Sequence, residues 1–203
     1  MWPRLAPADR VELAQAPGRT IAALHATSPR HLNGVPATDW TEFVAAQRAR
    51  AADRQRAHGL DENWAGQIPS FLDGFGDVEL ACQRPVLLHT EFMREHLLVT
   101  RTASGWELSG LFDFEPAMLG APEYEFAAVG LFVSGGDAGF LRELLLAYGY
   151  RPDQLGDGLA RRLLAYTLLH RYSNLPWYLR ELPAPPRPSL DAPATRWFGT
   201  ETR

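Results

Sequence analysis

The chain has 203 residues, of which 46% are hydrophobic and 22% charged, and its formal net charge is -4. This composition is typical of a folded globular protein, and the acidic balance argues against a nucleic-acid or anionic-membrane partner. The single cysteine, Cys82, cannot form an internal disulfide, so we interpret it as a structural thiol in a reducing compartment. No apolar run reaches the roughly 18 residues that a membrane span needs. We therefore expect a cytoplasmic protein with no membrane segment.

Helical patterns account for the first part of the chain. A first helix is predicted over residues 9–26, and Pro17 should kink it or divide it, because an interior proline removes a hydrogen bond and costs about 3 kcal/mol. His25, near the end of this helix, is interpreted as a capping or packing residue. Asp39 opens a second helix that ends before Gly59, and a shorter helix is predicted over 61–72.

The central stretch, residues 86–128, holds the densest set of ionisable residues in the sequence. Three short apolar triplets within it are strand-like, at 86–88, 97–99 and 110–112. The ionisable residues next to these triplets are His89, Glu91, His96 and Asp113. We therefore predict that they lie in loops at strand ends, where folds commonly position chemistry.

The part of the chain after the centre is again helical. Residues 122–133 are apolar at nearly every position apart from Glu123 and Glu125, so this helix should be buried on almost all sides. Amphipathic helices are predicted over 137–148 and 157–169, with Pro176 bending or ending the second.

Five prolines between residues 183 and 193 predict a tail without regular structure. This divides the chain into a domain over 1–182 and a proline-rich tail over 183–203. The packing of the tail is expected to come from Trp197 and Phe198.

The central stretch contains three short motifs in succession. They are Leu88-His89-Thr90-Glu91 with His96 shortly after, Leu111-Phe112-Asp113-Phe114-Glu115, and Ala121-Pro122-Glu123-Tyr124-Glu125-Phe126-Ala127. In order and spacing they resemble the aminoglycoside phosphotransferase family, kinase-like enzymes that include the hygromycin B kinases. The family pattern is His-Gly-Asp, four residues, Asn, a hairpin, apolar-Asp-Phe/Trp, and then Asp-Pro-x-Tyr/Phe-Asp-Leu-Ala.

The resemblance implies a mainly α (α+β) fold, a protein-kinase-like C-terminal lobe of several helices around a short central β-hairpin. In kinase-like folds a strand lysine and a Gly-rich loop of the N-terminal lobe hold the nucleotide phosphates. This sequence contains no lysine and no Gly-rich loop of the required spacing. We therefore expect a C-terminal lobe without the nucleotide-binding lobe, which alone binds ATP weakly or not at all.

The resemblance also implies ATP-dependent O-phosphorylation of a hydroxylated small molecule, with aminoglycoside antibiotics among the acceptors and Mg²⁺ and ATP as cofactors. Glu91 stands in the position of the catalytic aspartate and His89 in that of an orienting residue. Asp113 is the retained metal ligand, and His96 occupies the second metal position, where the family has asparagine. Two physical objections arise. The longer Glu91 side chain shifts its carboxylate by about 1 Å, and imidazole is a poor Mg²⁺ ligand.

Two alternatives follow from these departures. The first is a degenerate kinase-like module that binds a small molecule or a partner without catalysis. The second is a zinc or non-haem iron site made by His89, Glu91 and His96, since two imidazoles and a carboxylate form a common ligand set.

A homodimer is also expected, because a lobe without its cover would expose apolar residues that seek a partner. The residues predicted to form this surface are Trp2, Leu5, Phe92 and Met93.

Overall fold

The computed structural model describes residues 6–28, 35, 38–76, 79–103, 105–182 and 188–201. The helices of these residues are α1 (Pro7–His25), α2 (Trp40–Ala57), α3 (Glu62–Ala65), α4 (Ile68–Asp73), α5 (Pro122–Ala128), α6 (Ala138–Tyr148), α7 (Asp157–Leu169), α8 (Leu175–Glu181) and α9 (Asp191–Phe198). The strands are β1 (Val86–Leu88), β2 (Leu97–Thr102), β3 (Gly105–Leu111) and β4 (Met118–Gly120). The predicted mainly α fold is confirmed.

Two antiparallel strand pairs lie at the centre of the chain. The β2 and β3 strands form the predicted hairpin, with a shift of register between Leu98 and Val99. The β1 strand pairs with β4, and Leu87 lies opposite Leu119. The three-residue β4 strand, which pairs with β1, was not predicted.

The first helix runs without a break through Pro17, rather than as two segments. A Cβ atom on the next residue, Gly18, would lie 2.2 Å from the carbonyl oxygen of Leu144, so α1 and α6 approach each other closely at this point. Leu13 and Ile21 are buried on either side of it. Because each buried aliphatic side chain contributes about 1.5–3 kcal/mol, packing outweighs the hydrogen bond that Pro17 removes.

Helix boundaries follow caps and prolines. The Asp39 carboxylate accepts a hydrogen bond from the Glu42 N–H at 3.0 Å, and Asp137 caps α6 in the same way. The single helix predicted over 61–72 is instead two short helices, α3 and α4, because Pro69 in the first turn of α4 has no N–H to continue α3. Pro176 likewise opens α8, after α7 has ended.

The α5 helix continues directly into a π-helical segment, Val129–Ser134. Tyr124 and Phe126 are fully buried in α5, as predicted for a helix covered on almost all sides. The helix packs against α7 and β1. It therefore forms the floor beneath the loops that follow the central strands.

The prediction of a tail without regular structure is wrong for its last part, where α9 forms. Trp197 and Phe198 are both buried, and the helix packs on α7. Pro193 lies in the first turn of α9, where its missing N–H has no helical partner to lose. The other end of the tail, residues 183–187, lies outside the described residues, and the division at residue 183 stays a prediction.

Among the described residues, no helix is both long enough and apolar enough to cross a membrane.

Candidate active site

The loop after β1 begins with His89, whose side chain is fully buried. Its Nε2 atom lies 2.8 Å from the carbonyl oxygen of Phe112, so Nε2–H donates and connects this loop to the one after β3. The ring packs edge-on against Phe114, with ring centroids 4.6 Å apart. Nδ1 has no hydrogen-bond partner among the described residues. His89 therefore connects the two loops, and its orienting role in catalysis stays a prediction.

A buried carboxylate below the loop holds its backbone. Glu125 of α5 accepts hydrogen bonds from the His89 N–H at 2.6 Å and from the Thr90 N–H at 2.9 Å. Thr90 has a φ of 70°, a left-handed conformation that non-glycine residues rarely adopt. The two bonds satisfy buried donors and hold this conformation, which sets the direction in which Glu91 leaves the core.

His170, just after α7, holds Thr90 from the other side. Its Nε2–H donates to the carbonyl oxygen of Thr90 at 3.0 Å, while Nδ1 accepts from the Tyr172 N–H at 3.3 Å. The ring is stacked on Tyr124 with centroids 4.9 Å apart. Burial lowers the pKa of His170 to about 4, so the ring is neutral near pH 7 and both nitrogens have the partner that this tautomer requires.

His25 packs beneath the same carboxylate. Its Nδ1 lies 2.9 Å from the Tyr148 hydroxyl, and its Nε2 lies 3.7 Å from Oε2 of Glu125. The interpretation of His25 as a packing residue at the end of α1 agrees with this position.

The far end of the loop after β1 is also fixed. The Arg94 guanidinium donates to the carbonyl oxygen of Val133 from Nε at 3.0 Å and from Nη2 at 2.7 Å. Arg94 opens a single 3-10 turn, Arg94–His96, that leads into β2.

Three of the four predicted site residues meet above this floor. One side-chain ligand atom from each of Glu91, His96 and Asp113 lies within 4.8 Å of the other two. The His96 Nε2 atom is 3.5 Å from Oδ2 of Asp113, and its Nδ1 is 2.8 Å from the main-chain oxygen of Glu91. Asp113 has a φ of 69°. His89 is not part of this group. The set that converges therefore has Asp113 where the predicted zinc or iron site had His89.

Cys82 is poorly suited to act as a nucleophile. Burial raises the pKa of its thiol, which disfavours the nucleophilic thiolate and agrees with a structural role.

The apolar surface near the site differs from the predicted one. Phe92 is fully buried, so its predicted exposure is wrong, and Met93 is partly buried. Trp2 and Leu5 lie outside the described residues. The exposed large apolar side chains near the site are those of Leu98, Val99, Phe112 and Phe114.

Sequence reasoning missed two residues that shape the site, Glu125 and His170. A signal existed for Glu125, because a carboxylate in an otherwise apolar helix requires buried donors. His170 gave none, since its partner Thr90 is 80 residues away in the chain.

The two loops thus present a cluster of Glu91, His96 and Asp113 on a mainly α scaffold. The sequence model of the phosphotransferase enzyme family matches residues 2–164. The chain belongs to this family.

Solved structures agree on the fold. The GDP complex of wild-type aminoglycoside 2'-phosphotransferase-IIIa is similar with a TM-score of 0.65 and 20% identity, over 81% of this chain and 54% of that one. The GDP complex of a point mutant of that enzyme gives a TM-score of 0.61 and 19% identity, over 87% and 61%. A GDP and kanamycin complex of APH(2")-IIIa gives 0.59 and 19%, over 81% and 56%. The chain thus spans little more than half the length of these proteins. No curated protein matches the sequence.

Proposed function

We propose that this chain is the C-terminal lobe of an ATP-dependent kinase that phosphorylates a hydroxyl group of a small molecule. The observation that carries the proposal is the position of Glu91 in a loop held at both ends, with ligand atoms of Asp113 and His96 within 4.8 Å. Phosphoryl transfer requires mainly positioning and charge from a protein, and this loop provides a fixed carboxylate where a hydroxyl can approach.

Glu91 is the proposed catalytic base. Its carboxylate accepts the proton of the acceptor hydroxyl while the oxygen forms a bond to the γ-phosphorus, and the nucleoside diphosphate leaves with the electron pair of the broken P–O bond. His89 orients the loop from below through its bond to Phe112. Thr90, held by Glu125 and His170, fixes the backbone from which Glu91 projects.

The negative charge of the two loops suggests which class of acceptor molecule binds. Four carboxylates lie on the two loops, those of Glu91, Glu95, Asp113 and Glu115. An acidic rim favours a polycationic, polyhydroxylated acceptor such as an aminoglycoside. One similar structure is a complex with kanamycin, which supports this class. Since the similar structures contain GDP, both ATP and GTP are candidate donors.

The implied Mg²⁺ does not fit this donor set well. Asp113 offers the hard oxygen that Mg²⁺ prefers, but His96 presents an imidazole nitrogen in the second metal position.

The proposal is tested by phosphoryl transfer from ATP and GTP to a panel of aminoglycosides, with the 203-residue chain and with any longer chain that contains it. Asp113→Ala should abolish transfer, because it removes the family's retained metal ligand. Glu91→Asp should preserve or raise the rate, because a carboxylate misplaced by about 1 Å can cost roughly a hundredfold.

Glu181→Gln is the control, since Glu181 is an exposed carboxylate at the end of α8, outside the two acidic loops, and should leave the rate within about twofold of wild type. A wild-type rate for Asp113→Ala would contradict the mechanism. No transfer by any form would favour the second candidate, a kinase-like module that binds a small molecule or partner without catalysis. The replacement of the family's asparagine by His96 favours this candidate.

We also propose a cytoplasmic homodimer in which the exposed apolar side chains near the site face a second copy. Leu98 is 55% exposed, Phe112 44% and Phe114 41%. Leu98→Ser combined with Phe114→Ser should shift the chain toward monomer in sedimentation at micromolar concentration, because exposed apolar area drives such contacts. Val11→Ser is the control, because Val11 is also an exposed apolar residue but lies on α1. A single monomeric species for the unmodified chain would contradict the dimer.

A further inference from the structure

We propose that Glu91, His96 and Asp113 form a site for a late first-row divalent ion such as Zn²⁺ that discriminates against Mg²⁺. The inference concerns the site of the proposed function, but it needs neither nucleotide nor acceptor. Three side-chain donors of different types converge here from two loops, and all of them can be reached from solvent.

The spacing of two of the donors fits a tetrahedral ion. His96 Nε2 and Asp113 Oδ2 are 3.5 Å apart, too far for a strong hydrogen bond. Two ligands at Zn²⁺ distances of about 2.0–2.2 Å and a tetrahedral angle lie roughly 3.4 Å apart. Two adjacent ligands of an octahedral Mg²⁺ lie only about 2.9 Å apart. The observed separation therefore matches the Zn²⁺ geometry more closely.

The third donor can complete the group. The Glu91 carboxylate is partly exposed, and one of its oxygens lies within 4.8 Å of the other two ligand atoms. A rotation of this side chain brings the oxygen into the first coordination shell without moving the backbone that Glu125 holds.

His96 is prepared for metal binding by its backbone contact. Its Nδ1 lies 2.8 Å from the main-chain oxygen of Glu91, and since a carbonyl oxygen only accepts, Nδ1 carries the proton. Nε2 is then the unprotonated nitrogen, and it is the atom that lies toward Asp113. A histidine ligand whose other nitrogen donates to a carbonyl is the usual arrangement in metal sites, because that bond fixes the tautomer and the ring orientation.

The chemistry of the donors sets the preference. One imidazole nitrogen and two carboxylates bind the later first-row ions more tightly than the earlier ones, and imidazole contributes little to Mg²⁺, which prefers oxygen ligands. The order of affinity should therefore be Zn²⁺ above Co²⁺ above Mn²⁺, with Mg²⁺ last.

The test is calorimetric titration of the full chain with Zn²⁺ and with Mg²⁺, in the absence of nucleotide. We expect one equivalent of Zn²⁺ to bind, and no binding heat from Mg²⁺ at the concentrations that saturate the site with Zn²⁺. His96→Asn should weaken Zn²⁺ binding by at least the 10- to 100-fold that loss of a supporting residue commonly costs. Co²⁺ gives a second readout, because its visible absorption in a site with an imidazole ligand should be lost in His96→Asn.

His58→Asn is the matched control, because His58 is an exposed histidine after α2 and can bind Zn²⁺ adventitiously. Unchanged Zn²⁺ affinity in His96→Asn, loss of binding in His58→Asn, or Mg²⁺ affinity equal to that of Zn²⁺ would each overturn the proposal. If His96→Asn does not fold, Asp113→Asn decides, since that side chain is 52% exposed and asparagine tolerates its left-handed backbone. Zn²⁺ binding without phosphoryl transfer by any form would leave this inference standing and would favour the non-catalytic module over the kinase.

Discussion

Glu125→Ala is expected to lower the free energy of unfolding by about 2–6 kcal/mol, because the buried N–H groups of His89 and Thr90 each lose their acceptor at about 1–3 kcal/mol apiece. Small domains are stable by only about 5–15 kcal/mol, so the variant should be close to unfolding. Glu125→Gln keeps one acceptor oxygen and should lie between the alanine variant and wild type.

Urea unfolding monitored by circular dichroism measures this effect. Glu123→Ala is the control, since Glu123 is the other acid of the same helix and pairs with Arg162 at 2.8 Å near the surface. Because this pair is bidentate and both side chains are partly buried, its loss should cost more than the roughly 0–1 kcal/mol of an exposed pair but less than the loss of the acceptor of two buried N–H groups at Glu125. A cost for Glu125→Ala no greater than that for Glu123→Ala would show that the carboxylate does not hold the loop.

Acidification should destabilise the fold through His170. Burial lowers the pKa of His170 from its ordinary 6.5 to about 4, so the unfolded chain takes up a proton more readily than the folded one. Above pH 6.5 this group therefore does not affect the free energy of unfolding. That free energy falls as the pH drops below about 6.5, and below about pH 4 the whole contribution of His170 has been lost. The difference between the two pKa values corresponds to about 3 kcal/mol.

His170→Gln tests this pH dependence, because the amide can still donate to Thr90 but does not titrate. Urea unfolding of both proteins at pH 7 and pH 4.5 should show a smaller loss of stability on acidification in the variant than in wild type. His58→Gln, at an exposed position, should keep the wild-type loss. Equal losses in His170→Gln and wild type would exclude His170 as the source.

Local patterns predicted the part of the site that depends on neighbours in sequence. The apolar triplets became strands or their ends, and the residues after them, such as Glu91 and Asp113, lie in loops as expected. Capping residues such as Asp39 and Asp137 marked helix starts correctly, because a cap bonds to backbone only three residues away.

Contacts over long separations were not predictable in this way. Glu125 and His170 reach Thr90 from 35 and 80 residues away, and no periodicity encodes which loop a buried side chain meets. The error at Phe92 has the same origin, since a loop lacks the repeat that assigns one face to the core. Pro17 illustrates the opposite case, in which a strong local signal was overridden by the packing of α1 on α6.

Two of the anchors of the loop that carries Glu91 belong to one continuous helical stretch. Glu125 holds its beginning, and the carbonyl oxygen of Val133 in the π-helical segment holds Arg94 at its end. A small sliding or rotation of that stretch would move both of these anchors together, relative to the contact that His170 makes with Thr90. Substitutions deep in the core, remote from any bound molecule, can therefore re-aim the carboxylate while leaving its immediate surroundings intact.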